Sequence, residues 1–170
     1  MNESILLSLN TFANSSPLIS QCVIFCAEYL GYVAITGILA YGIFGKDHKK
    51  DIWQVTYIFA TAGFSWVIAS LIKYFFPSPR PFEALSSIQA LYLHGGMDSF
   101  PSGHASFFGA LAFGAFHYSQ KIGWLLLITA VIIGIARVSV GIHYPLDILG
   151  GFAVAGIAYF LAKSILARQN

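Results

Sequence analysis

Apolar residues dominate five stretches of the chain: Pro17 to Phe44, Ile52 to Phe76, Ser102 to Tyr118, Ile122 to Ile142 and Pro145 to Ala167. A helix that crosses the hydrocarbon of a bilayer needs about 20 mostly apolar residues. The five stretches meet or approach that length, so each predicts a spanning helix. The opening segment, Glu3 to Ala13, has a different pattern. Ile5, Leu6, Leu9 and Phe12 fall near one helical face, with Ser4, Ser8 and Thr11 elsewhere. That pattern predicts a short helix lying in the membrane interface, too short to span. The expected fold is all-α: a polytopic transmembrane bundle of about five spanning helices plus the short N-terminal helix. Residues 1–170 form one domain.

The polar breaks carry the next layer of information. Gly45 to Asp51 is short, and Lys46, Lys49 and Lys50 cluster in it. Basic connections stay in the cytoplasm, so the N-terminus is expected outside and the C-terminus, with Lys163 and Arg168, inside. Lys121 falls in the second inner turn. Met1 to Asn10 lacks a basic n-region and does not read as a signal peptide. The long connection Pro77 to Pro101 falls outside. It contains Pro77, Pro79, Pro81 and a Gly95-Gly96 pair, so it is not one continuous helix. A loop of this length in a compact domain is usually functional.

Composition strengthens the membrane reading. Charged residues make up 9% and hydrophobic residues 57%, against about 25% charged in soluble domains. So few charges cannot clothe a water-facing surface. The net charge of +2, with no basic stripe interleaved with aromatics, gives no sign of a nucleic acid partner. Cys22 and Cys26 lie in the first apolar run and are expected to be small buried hydrophobes. They have no partners for a disulfide or a metal.

Three basic residues, Lys73, Arg80 and Arg137, break the charge rule by falling near the outer face. They belong to three polar clusters: Lys73 to Pro81, Pro101 to His104, and Arg137 to Asp147. The expected topology brings the end of the second span, the start of the third and the turn between the last two to one side. Fixed cations position phosphate oxygens and neutralise charge in a transition state. Ser102, Gly103 and His104 open a helix whose free N–H groups favour an anion. No acidic cluster offers a magnesium site, and the pattern calls for no cofactor. Pro145 belongs in the first turn of the last helix, which places Asp147 in that turn too. Asp147 can then orient His143, leaving its other nitrogen free to attack phosphorus. His104 can protonate the leaving oxygen. Singly, a histidine at a helix end is an ordinary cap and an arginine there snorkels. Six such residues gathered on one face are not explained that way. His48 and His117 are read as solvated or interfacial, and His94 is left unassigned.

Together the clusters resemble the signature of the type 2 phosphatidic acid phosphatase family: Lys-x6-Arg-Pro, then Pro-Ser-Gly-His, then Ser-Arg-x5-His-x3-Asp. Lys73 to Asp147 matches it in order and spacing, except that Ala136 replaces the serine before the arginine. The resemblance implies a metal-independent membrane phosphatase working through a phosphohistidine. In it Lys73, Arg80, Ser102, Gly103 and Arg137 bind phosphate, His104 is the acid, His143 the nucleophile and Asp147 its orienter. The stretch Asn10 to Val33, with Ala27-Glu28-Tyr29-Leu30, is similar to bacterial undecaprenyl pyrophosphate phosphatases of the bacitracin-resistance type. The implied substrate is a lipid phosphate or pyrophosphate. Phosphatidylglycerophosphate, phosphatidic acid and lipid A phosphate stay open as alternatives, as does a non-catalytic anion-binding transporter or scaffold. Small-residue spacings, Ala110 with Gly114 and Gly151 with Ala155, can pack helices within one chain or between chains. Glu28, expected near mid-bilayer, is a candidate modulator. It is expected either to hold helices together through Tyr29, Ser65 or Ser70, or to tune the phosphate pocket through Lys73.

Overall fold

The computed structural model describes residues 2–92 and 98–167. His94, the Gly95-Gly96 pair and Arg168 lie outside them. Among the described residues seven helices follow in order. They are α1 (Asn2–Ala13), α2 (Pro17–Phe44), α3 (His48–Phe75), α4 (Pro81–Ala84), α5 (Gly103–Phe116), α6 (Gln120–Ser139) and α7 (Pro145–Ala167). Among the described residues α2, α3, α6 and α7 are long and apolar enough to cross a membrane. Helix α5 is apolar but shorter, with 14 residues. The five apolar stretches thus appear as four spans and one short helix.

That short helix is the most enclosed. It packs among α3, α6 and α7, and Ala105, Ala110, Leu111, Ala112 and Ala115 are fully buried. Small side chains let the neighbours close on it. A methyl group at Gly109 would meet Phe152 and Ala155 of α7, and one at Gly114 would meet Ile58 of α3. The small-residue spacings therefore serve packing within one chain. The outward faces carry exposed Phe, Leu, Ile and Trp side chains such as Phe44, Trp66, Leu125 and Phe160, as a lipid-facing surface requires. The fold is that of a multi-pass membrane protein.

Several expectations need correcting. On α1 the buried residues are Leu6, Asn10 and Ala13, while Ile5 and Phe12 are exposed. The reason is that Asn10 acts as a clasp. Its amide donates to Gln89 O (3.0 Å) and Ser139 O (2.9 Å), and its Oδ1 accepts the Gln89 N–H. The helix is thereby fastened over the long loop and the end of α6. Cys22 is exposed and Cys26 only half-buried, because this part of α2 presents them at the bundle's edge. Helix α2 also holds a π-helical turn at Phe25–Tyr29, which periodicity did not reveal.

Candidate active site

Three local structures set the site. The first is a turn. Helix α6 ends in a Schellman motif: Gly141 N–H donates to Val138 O (2.9 Å) and Ile142 N–H to Arg137 O (3.4 Å). The motif needs a left-handed residue, and Gly141 has φ +91°. This reversal sets the five-residue spacing between Arg137 and His143, folding His143 back beside the helix that carries the arginine. Glycine after the last apolar residues was the sequence signal for it.

The second is a knot at Asp147. Pro145 starts α7, and Asp147 closes its first turn by accepting the Tyr144 N–H at 2.8 Å, half of a capping box. The same oxygen, Oδ2, accepts the Ser99 hydroxyl (2.5 Å) and lies 3.4 Å from His143 Nδ1. Asp147 O accepts the Ser102 N–H at 2.9 Å, so the starts of α5 and α7 are joined. Ser99 was not singled out from the sequence. Its buried hydroxyl is visible only once the loop is folded.

The third is a clasp in the long loop. Ser78 pairs with the segment at Asp98: Ser99 N–H donates to Ser78 O (3.0 Å) and Phe100 N–H to Ser78 Oγ (2.8 Å). This clasp sets Asp98 between Lys73, in the last turn of α3, and Arg80, which precedes α4. Arg80 Nε and NH2 reach Asp98 Oδ1 at 2.9 and 2.8 Å, and its NH1 donates to Ile142 O at 3.1 Å. Lys73 Nζ donates to Asp98 O (2.6 Å) and sits 3.6 Å from Oδ2. Asp98 also escaped the sequence reading.

Lys73, Arg80, Arg137, Gly103, His104 and His143 all line one pocket of about 420 Å³. Tyr32, Trp66 and Phe107 continue its wall. Ser102 is fully buried behind this wall, its hydroxyl accepting the Ala105 N–H as the cap of α5. Ala136 packs in an apolar cluster with Ala27, Val140 and Ile142, so the missing serine hydroxyl faces the α2 contact. His48 and His117 are exposed.

Glu28 meets neither Lys73 nor the serines named above. It lies 3.7 Å from Arg137 NH1, which also donates to Ala27 O at 3.2 Å. Ser65 donates to Ser106 O and Ser70 to Trp66 O instead. The π-helical turn puts a backbone carbonyl and a carboxylate together on a guanidinium that is 1% exposed. Helix α2 runs past the end of α6, which brings Glu28 level with the pocket. Burial raises the Tyr92 phenol in the same cluster; Arg137 opposes this and Glu28 adds to it.

Electrostatics divides the roles further. Burial pushes His143 down from the usual histidine range to about 4; the Arg137 and Arg80 cations add to this, against the Asp147 hydrogen bond. A neutral imidazole that turns Nδ1–H toward Asp147 leaves the Nε2 lone pair free. Burial raises the Asp98 carboxyl, but Arg80 and Lys73 outweigh it, so the group is held below its ordinary range and is charged.

The family model described as "PAP2 superfamily" matches residues 51–170. Undecaprenyl-diphosphatase BcrC of Bacillus subtilis is 32% identical over 161 residues, 95% of this chain and 82% of that protein. Lipid A 1-phosphatase of Rhizobium etli is 32% identical over 122 residues, 68% of this chain and 52% of that protein. The crystal structure of Aquifex aeolicus LpxE superposes with a TM-score of 0.78 at 25% identity, covering 96% of this chain and 94% of that one. With its bundle and its motif residues gathered in one pocket, the chain belongs to the PAP2 superfamily, as a multi-pass membrane phosphatase.

Proposed function

We propose that the protein hydrolyses undecaprenyl pyrophosphate to undecaprenyl phosphate at the extracytoplasmic face through a phosphohistidine on His143. The observation that carries the reading is the convergence of the His143 imidazole, 3.4 Å from Asp147, with three cations in one pocket. Lys73, Arg80 and Arg137 bind the terminal phosphate, with the Gly103 end of α5. His143 Nε2 attacks its phosphorus as the bond to the bridging oxygen breaks. His104 gives its proton to that oxygen, and lipid monophosphate leaves. His104 then takes a proton from water, whose oxygen attacks the phosphohistidine; inorganic phosphate departs and both histidines return to their starting forms. Asp147 stabilises the positive charge that His143 gains in the first step and loses in the second.

The lipid is the finer part of the proposal. The relative from Bacillus subtilis supports the undecaprenyl substrate, and the basic Lys46–Lys50 connection supports the outward-facing site. The relative from Rhizobium favours a second reading, another lipid phosphate such as that of lipid A. Purified protein should be assayed on undecaprenyl pyrophosphate, phosphatidylglycerophosphate, phosphatidic acid and lipid A side by side. A higher kcat/KM on another lipid would overturn the substrate assignment. Rapid quenching with a radiolabelled terminal phosphate should trap acid-labile, base-stable phosphoprotein, absent in His143→Ala. Its absence from wild type, or turnover by folded His143→Ala above a few per cent, would remove the nucleophile. Impermeant labelling of a cysteine introduced beside the pocket tests the face: protection in intact cells would reverse the orientation.

A further inference from the structure

The two cations on the second span side of the pocket already hold an anion. Asp98 presents one carboxylate oxygen to Arg80 Nε and NH2 and the other toward Lys73 Nζ, 3.6 Å away. Two oxygens of a phosphate would straddle the same pair. We propose that the Asp98 carboxylate is a built-in competitor for the phosphate subsite: it occupies Lys73 and Arg80 in the empty enzyme and leaves them when an anionic substrate binds. This rests on the reading above that Lys73 and Arg80 receive phosphate.

The geometry separates this role from simple positioning. Each cation has a second anchor that is independent of the carboxylate. Lys73 Nζ donates to the backbone carbonyl of Asp98, and Arg80 NH1 donates to Ile142 O. Departure of the carboxylate leaves both cations in place. It also has somewhere to go: the Asp98 side chain is 43% exposed, against 3% for Arg80 and 17% for Lys73. Its backbone stays on the Ser78 clasp, so only the side chain needs to turn. A phosphate group wins the exchange because it brings more charge and three acceptor oxygens. It also reaches Arg137 and the α5 terminus, both on the wall of the same pocket.

A competitor that must be displaced weakens every anion's apparent affinity by the cost of displacing it. Removing its charge therefore tightens binding, whereas removing a positioning group loosens it. The test is the inhibition constant of orthovanadate against a lipid pyrophosphate substrate, for wild type, Asp98→Asn and Asp98→Ala, with folding checked by gel filtration and melting in detergent. The carboxylate is partly exposed while its cationic partners are buried, so solvent screens the contact in part and the expected fall in the inhibition constant is about three- to tenfold. KM should fall in parallel for at least one of the two variants. An unchanged or raised constant in folded protein overturns the proposal, and so does failure of both variants to fold, which would make Asp98 structural. Arg80→Ala reports on the underlying site independently. If its KM and inhibition constant equal those of wild type, the phosphate subsite is misplaced, whatever Asp98 does.

Discussion

Gly151 tests whether helix packing, at a residue outside the pocket lining, sets the chemistry. A methyl group there would sit 2.6 Å from Ala105 Cβ, 2.7 Å from Ser102 O and 3.0 Å from Ser106 N. None of these atoms is the end of a flexible side chain. Ordinary contact begins at 3.4 Å, so α5 and α7 must separate by roughly 1 Å to admit the methyl. Overpacking of this kind costs about 1–3 kcal/mol. The gain of alanine over glycine in a helix returns about 1 kcal/mol of that. The net loss of stability is then about 0–2 kcal/mol, and His104, two residues beyond Ser102, moves relative to His143 and Asp147 on the other side of the junction. A misplacement of about 1 Å can cost roughly a hundredfold in rate. Gly151→Ala should accordingly lose about ten- to a hundredfold in kcat while its melting temperature in detergent falls by no more than several degrees and the protein stays folded at the assay temperature. Gly63→Ala is the control, because nothing lies within 4 Å of its added methyl, and its activity should be unchanged. Phosphate release from a lipid pyrophosphate and thermal unfolding decide the matter. A Gly151→Ala enzyme within twofold of wild type would refute the packing argument.

Burial and the two arginines hold His143 down near 4, so it should stay neutral from pH 7.5 to 5.5 in the substrate-free enzyme. The histidine NMR signal missing from His143→Ala should not titrate in that window, and a midpoint at 6.5 or above would contradict the site electrostatics. His104→Ala should be severe on an alkyl phosphate and milder on a pyrophosphate, whose leaving group needs less proton transfer; equal defects on both would remove the acid role. Glu28→Gln keeps the shape of the Arg137 partner and removes its charge. It should lower kcat/KM about tenfold, a barrier change of about 1.4 kcal/mol, with expression and melting retained; wild-type turnover and affinity across pH would leave Glu28 a purely structural role.

Much of this protein is legible in one dimension because a bilayer imposes its rule on every residue of a span. Length and hydropathy alone determine where helices cross, and the ends of α3, α6 and α7 fall within a few residues of the expected ones. Lys73, Arg80, Arg137, His104 and His143 were visible because charge at the end of an apolar helix is costly and so conspicuous. Asp147 was legible from Pro145, which sets the start of α7. Asp98 and Ser99 were not, since a polar residue in a polar loop carries no such signal. Their contacts with Lys73, Arg80 and Asp147 form when the Ser78 clasp folds the loop back across the helix ends. The partner of Glu28 was equally hidden. Counting residues along an ideal helix puts it at mid-bilayer, whereas the π-helical turn and the staggering of α2 against α6 bring it to Arg137. The short α5 became the centre of the bundle for a similar reason. Its small residues state that neighbours can approach closely, and only three-dimensional packing decides which helices do.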